Sequence, residues 1–208
     1  MFYFSWWVTG SIFPLIKAKL SRRPIIVIAG GNELMRYSDS LTGVPYGYLN
    51  MPWLKKVAVK IVIKLSDIIL PVSDFMLKDQ SFFGYKRQEV VHNCVDTELF
   101  KIAKGKKLNR KRLVSVINLD QDVITLKRGH ILLQAIKILK DRHADFSLYI
   151  FGQKGNAYEK TLAEINSLGI AANVKLMGIR KNSQFARILP ACTCYIQISD
   201  TETFGLSI

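Results

Sequence analysis

From Arg112 onward the chain alternates between two hydrophobic rhythms. Short apolar runs at Leu113–Ile117, Phe146–Phe151, Val174–Met177 and Cys194–Ile198 have the continuity of strands buried on both faces. Between them apolar residues recur every three or four positions, and Gly129–Lys140 sets Ile131, Leu132, Ala135, Ile136 and Leu139 on one predicted helical face. A second helix is predicted through Leu162, Ile165 and Leu168, stopped by Gly169 as a C-cap, and a short third over Ser183–Leu189. Strands spaced by helices in this order predict right-handed βαβ units and a parallel sheet.

The first half uses the same elements less regularly. Phe2–Val8, Pro24–Ala29, Asp67–Pro71 and Glu89–His92 are predicted strands, and Ile12–Leu20, Pro52–Leu65 and Asp74–Phe82 are predicted helices. The fold class is therefore α/β, with one unit over residues 1–103 and another over 113–208. They are joined by a basic linker at 104–112, where Lys104, Lys106, Lys107, Arg110, Lys111 and Arg112 crowd together.

Composition narrows the classes. A hydrophobic content of 49% supports packed cores and excludes a disordered chain. The net charge of +14 points to an anionic partner: a nucleotide phosphate, an acidic membrane surface or a nucleic acid. Nucleic acid is the weakest of the three, because Phe146, Tyr149, Phe151 and Tyr195 fall in strands rather than interleaving with cations on an open face. The first sixteen residues carry no charge, yet a secretory signal is excluded because Lys17, Lys19, Arg22 and Arg23 follow the apolar stretch instead of preceding it. Thr9-Gly10-Ser11 and Pro14 also break that stretch into a strand, a turn and a helix. Lys60 and Lys64 interrupt Val57–Leu65 too often for a membrane span, though a basic amphipathic helix there could lie on a bilayer. Three cysteines, Cys94, Cys192 and Cys194, have no zinc spacing and fit a reducing cytosol, with Cys192 and Cys194, which flank an apolar strand, read as buried packing.

The candidate chemistry gathers where strands end. Gly152-Gln153-Lys154-Gly155 follows one strand and Gly178-Ile179-Arg180 another, so backbone there can approach a ligand. Lys127 and Arg128 precede the helix beginning at Gly129; two cations oppose the helix dipole there unless an anion binds. After the last strand, Glu202 stands in Thr201-Glu202-Thr203-Phe204-Gly205-Leu206-Ser207, suited to accept hydrogen bonds from sugar hydroxyls. Backbone N–H groups of a helix starting at Gly205, Leu206 and Ser207 would face a diphosphate. Asp120-Gln121-Asp122 has the spacing to hold a divalent metal beside phosphates, but cations crowd the same loop and no metal is expected. The chain has neither a P-loop nor a nucleophile elbow, and this removes support for an ATPase or a serine hydrolase.

Taken in order, these pieces resemble the retaining GT-B glycosyltransferases of the group 1 (family 4) type. The motifs are Val72-Ser73-Asp74, Asn93-Cys94-Val95-Asp96-Thr97-Glu98-Leu99-Phe100, Lys127-Arg128-Gly129, Leu148–Gly152, Val174–Gly178 and Ser199–Leu206, in register over residues 66–208. The resemblance implies two Rossmann-like domains, an acceptor-side one at 1–103 and a nucleotide-sugar-binding one at 113–208, with the donor between them. It implies transfer of a hexosyl-type sugar from a nucleoside diphosphate sugar to a glycan or lipid-linked acceptor with retention, in cell-surface polysaccharide or glycolipid synthesis. No cofactor is implied beyond that donor substrate.

By the same resemblance Lys127 and Arg128 neutralise the diphosphate, while Asn118 replaces the family's partner arginine. Gly152, Gly178 and Arg180 border the nucleobase, and Phe204, Gly205, Leu206 and Ser207 complete the donor side around the catalytic Glu202. In the first domain Asn32 and Glu33 occupy the loop that faces the donor sugar and are carried as further catalytic candidates. The expected location is the cytoplasm, and the net charge with the basic helix around Lys55–Lys64 fits peripheral contact with the inner face of an anionic membrane, a soluble acceptor being the alternative. The family's second carboxylate would fall at position 210, so the chain is expected to be a fragment or truncated product with both domains incomplete and poorly stabilised. The competing expectations are a non-catalytic remnant that binds a partner, a basic nucleic-acid or nucleotide-binding Rossmann-like protein, and a sugar-nucleotide epimerase.

Overall fold

The computed structural model describes residues 2–5, 10, 12–41, 43–101, 111–142 and 145–205. The chain divides into two compact units, Met1–Cys94 with Glu202–Leu206, and Val95–Thr201 with Ser207–Ile208. The expected linker at 104–112 lies largely outside the described residues, and its last residue, Arg112, already begins a strand.

The first unit runs β1 (Tyr3–Ser5), α1 (Ile12–Leu20), β2 (Ile25–Ala29), a hairpin of β3 (Arg36–Ser38) and β4 (Pro45–Gly47), α2 (Trp53–Leu65), β5 (Ile68–Pro71) and α3 (Gln80–Phe83). β1, β2 and β5 form a parallel sheet in that spatial order. Residues Ile25, Val27 and Ala29 of β2 alternate into a core that also holds Leu15 of α1, Val59 and Val62 of α2, Ile69 of β5 and Met76. Val59 and Val62 are completely buried, and each contributes roughly 1.5 kcal/mol or more to holding α2 on the sheet. Pro14 is accommodated because it sits in the first turn of α1, where its missing N–H would have no intrahelical partner.

Several first-half expectations change. The hairpin β3–β4 was not predicted. The helix expected over Asp74–Phe82 is a 3₁₀ helix over Asp74–Asp79 followed by the short α3. Glu89–His92 is not a regular strand, although Glu89 N–H donates to Ile69 O at 3.2 Å and Val91 N–H to Pro71 O at 2.9 Å along the edge of β5. Of the expected strand Phe2–Val8, Tyr3–Ser5 forms β1, and residues 6–9 lie outside the described residues.

The second unit contains β6 (Arg112–Val116), α4 (Gln121–Leu126), α5 (Gly129–Arg142), β7 (Ser147–Phe151), α6 (Tyr158–Ser167), β8 (Val174–Gly178), α7 (Asn182–Ile188) and β9 (Cys194–Tyr195). Its sheet is entirely parallel in the order β8-β7-β6-β9. This is the Rossmann-like arrangement that the βαβ rhythm predicts. β9 is shorter than the expected Cys194–Ile198, although Ile196 N–H still donates to Val114 O at 2.7 Å. The buried side of α5 is Gly129, Leu132, Leu133 and Ile136, so Ala135, expected inside, is exposed and Leu133 replaces it. Gly169 does end α6, with φ 67°, and Lys140 Nζ covers its carbonyl at 2.6 Å. Cys192 is buried as expected, but Cys194 is exposed.

Candidate functional site

At the carboxyl ends of β6 and β7 in the second unit, two loops are sewn into one ledge. Asn118 Oδ1 accepts from Gln153 N–H at 2.8 Å, Leu119 N–H donates to Gln153 O at 2.9 Å, and Ala157 N–H donates to Leu119 O at 2.8 Å. Asn156 Oδ1 in turn accepts from Gln121 N–H, at 2.8 Å, at the start of α4. Asn118 therefore braces the ledge. Glycine is required here by packing: a Cβ on Gly152, at φ 156°, would lie 2.0 Å from Ile117 O, and one on Gly155 would lie 2.2 Å from Asp120 Oδ1.

The ledge leads through α4 into the turn that carries the cation pair. Lys127 caps the C-terminus of α4, its N–H donating to Val123 O at 2.8 Å. Arg128 takes the left-handed conformation, φ 51°, which is costly for a side-chain-bearing residue and turns the chain sharply into α5. Gly129 must follow, because a Cβ there would stand 2.4 Å from Ile124 Cγ1 of α4. Leu132 N–H donates to Arg128 O at 3.1 Å, so the first backbone N–H groups of α5 open at this turn.

Arg128 Nη2 is ion-paired with Asp200 Oδ1. The two side chains are only 17% and 11% exposed, so the pair is largely shielded from solvent. Asp200 N–H also donates to Leu126 O at 3.2 Å, which ties the segment after β9 to the end of α4. On either side of Asp200, Ser199 Oγ and Thr201 Oγ1 are buried without a hydrogen-bond partner. The turn thus joins a helix N-terminus, Lys127, the Arg128–Asp200 pair and two hydroxyls, a set whose N–H and O–H groups can meet an anion. Asp200 was missed by the sequence reading.

Gly178 ends β8 at φ 67°, and Arg180, exposed, turns Nη1 onto Ile179 O at 2.8 Å. In the first unit Glu33 is partly buried in a 3₁₀ turn directly after β2, and the Asn32 side chain lies outside the described residues. Glu202 is partly buried and also counts with the first unit. Beside it Ser73 Oγ donates to Thr203 O, and the Phe204 ring lies 5.7 Å from the ring of His92 while packing on the core of that unit. Phe204 and Gly205, expected on the donor side, are thereby held in the first unit, Gly205 at φ 73°. Leu206 and Ser207 lie outside the described residues.

One motif finds its physical reason within a single turn. Asp96 Oδ1 accepts from Glu98 N–H at 2.9 Å and Leu99 N–H at 3.0 Å, and Phe100 N–H closes on Asp96 O at 3.0 Å. The spacing Asp-x-x-x-Phe is that of a side-chain-capped turn.

The parallel Rossmann-like sheets match those of solved GT-B glycosyltransferase structures. Sucrose-phosphate synthase from Thermosynechococcus elongatus superposes with TM-score 0.75 at 12% identity, covering 98% of this chain and 51% of that one. A mutant of S. aureus TarM, solved with fondaparinux, alpha-GlcNAc-glycerol and UDP, gives 0.73 at 15%, covering 96% and 37%. Anabaena HepE, solved with UDP and glucose, gives 0.72 at 17%, covering 94% and 52%. The chain spans about half or less of the length of these structures. No curated protein matches the chain. The family of glycosyl transferases group 1 matches residues 96–208, and the chain belongs to that family.

Proposed function

We propose that the chain takes part in moving a hexosyl-type sugar from a nucleoside diphosphate sugar to a glycan or lipid-linked acceptor with retention, in cell-surface polysaccharide or glycolipid synthesis. The observation that carries this reading is the turn at Lys127 and Arg128. It sets Lys127 and Arg128 at the N-terminus of α5, Arg128 already paired with Asp200, and leaves the first backbone N–H groups of the helix open to an anion. Family membership over residues 96–208 supports the choice of a nucleotide sugar as that anion, as do the UDP complexes of the TarM mutant and HepE.

In the proposed reaction an acceptor hydroxyl attacks the anomeric carbon on the face from which the diphosphate departs. The carbon–oxygen bond to the diphosphate breaks as the new glycosidic bond forms, and the hydroxyl proton passes to a diphosphate oxygen. Lys127, Arg128 and the N–H groups of α5 stabilise the negative charge that builds on the leaving group. No metal ion is required in this scheme. Glu202 accepts hydrogen bonds from the sugar hydroxyls, Gly178 and Arg180 border the base, and the first unit serves the acceptor, with Glu33 and Asn32 toward the sugar. The work is placed in the cytoplasm.

Incubating the chain with a panel of nucleoside diphosphate sugars and glycan or lipid-linked acceptors tests the scheme. The expected product keeps the donor's anomeric configuration by NMR, and Glu202→Ala lowers turnover by well over about tenfold. An inverted product, or full activity in Glu202→Ala, contradicts it.

A further inference from the structure

Arg128 is fixed in place by the backbone on both sides of it. Its left-handed φ of 51° and the bare Gly129 that follows turn the chain from α4 into α5. Its carbonyl accepts from Leu132 N–H at 3.1 Å, so the residue sits at the N-terminal end of α5, next to the open N–H groups of that helix. A different element delivers the carboxylate opposite it. After β9, Ile196 and Ile198 pack on the core that holds Leu132 and Ile136 of α5. Two residues further on, Asp200 takes the Arg128 guanidinium with its side chain, while its own N–H donates to Leu126 O at 3.2 Å. Asp200 is thereby tied to the end of α4 and to the start of α5 at once.

That placement works against an anion at α5. An arginine with a carboxylate on its guanidinium brings almost no net charge to the turn. The carboxylate also stands only the width of a guanidinium from whatever Arg128 holds on another edge of its fork of donors. Both side chains are largely shielded, so water and salt screen the repulsion poorly. Closed in this way, the segment keeps Ser199 Oγ and Thr201 Oγ1 buried without a hydrogen-bond partner, a cost that a shift of Asp200 and its neighbours can relieve.

Taking the turn as the seat of the donor diphosphate, we infer that Asp200 is a positioning residue that competes with the diphosphate for Arg128 and so limits how tightly the site holds it. Without an anion, Asp200 holds the guanidinium and stabilises the join between α4 and α5. A diphosphate draws the guanidinium to its own oxygens, which suit a planar fork of N–H donors as well as a carboxylate does. When the diphosphate departs, Asp200 takes the guanidinium back. One residue therefore adds to the stability of the unliganded chain and subtracts from the affinity of the site. A site that held the diphosphate at full strength would release it slowly after transfer.

Calorimetric titration of the 208-residue chain with inorganic pyrophosphate and with UDP, in wild type and in Asp200→Asn, tests this. Asp200→Asn is expected to bind pyrophosphate about tenfold more tightly than the wild type although its fold is weaker, and Asp200→Glu, which keeps the charge, to show no such gain. A residue that only held the fold together would lose affinity on substitution. In the wild-type chain the Nε–H resonance of Arg128, identified by its loss in Arg128→Lys, is expected to shift on addition of pyrophosphate, a readout that needs no variant at position 200. Affinity unchanged or lowered in a folded Asp200→Asn, or an Arg128 resonance indifferent to saturating pyrophosphate, overturns the inference. Pyrophosphate bound as tightly as UDP, with the gain in Asp200→Asn intact, would leave Asp200 its role and remove the nucleotide from the reading; UDP preferred, with no gain in Asp200→Asn, would do the reverse. No saturable binding of either ligand by the folded wild type overturns both.

Discussion

Arg128 and Asp200 make the central contact of the second unit, and its physics is that of a shielded pair: breaking it costs more than never having it. Asp200→Asn should destabilise the chain by about 3 kcal/mol, whereas Arg128→Gln combined with Asp200→Asn should recover much of that loss, read by denaturant unfolding as a double-mutant cycle. Additive losses would show that the pair is not coupled. The sequence displays Lys127 and Arg128 as adjacent cations before a glycine, but Asp200 is 72 residues away and nothing local marks it as their partner. Asp67 is a second informative residue. Its carboxylate is held below its usual pKa by the hydrogen bond from Lys19, with Ile25 N–H donating at 2.8 Å as well. A depressed carboxylate stabilises the fold above its unfolded pKa, about 4, and that contribution is lost as pH falls through the folded value. Asp67→Asn should therefore lower stability by about 1 kcal/mol at pH 7 and by less at pH 3, as measured by urea titration at the two pH values.

Helices and strands with long, clean periodicity were legible, and the failures share a cause. β3 and β4 are three residues each and polar in part, so their pairing comes from tertiary packing around Tyr46 and Tyr48 rather than from pattern. α4, with six residues and no fully buried side chain, carries no apolar stripe, so the segment Asp120-Gln121-Asp122 reads as a loop in sequence. In the structure Asp120 precedes α4 and its carbonyl accepts from Ile124 N–H at 2.8 Å. The join between α4 and α5 depends on the absence of a side chain at Gly129. Gly129→Ala should cost about 1–3 kcal/mol by forcing Ile124 aside, and Ile124→Ala in the same chain should remove most of that penalty in thermal melts. Persistence of the full penalty in the double variant would place the strain elsewhere.

At the level of the folded chain, the alternation of strand and helix made the α/β class and the parallel sheet of the second unit readable before any coordinates. The first unit was less so, because its sheet strands are short and its polar hairpin interrupts the rhythm between β2 and α2. The charge of +14 pointed to an anionic partner without saying where one would bind. The structure sets one pair of cations, Lys127 with Arg128, at a helix start in the second unit. The glycine loops looked like ligand contacts in sequence, yet Gly152 and Gly155 are needed first for the close approach of their own neighbours.

The most direct test of the account is a calorimetric titration of the 208-residue chain with UDP and with GDP, set beside inorganic phosphate. Saturable binding of a nucleoside diphosphate that exceeds binding of phosphate, and that falls about tenfold or more in Lys127→Gln, is the result the account predicts. No saturable binding of either nucleotide by a folded chain, or binding untouched by Lys127→Gln, would contradict it.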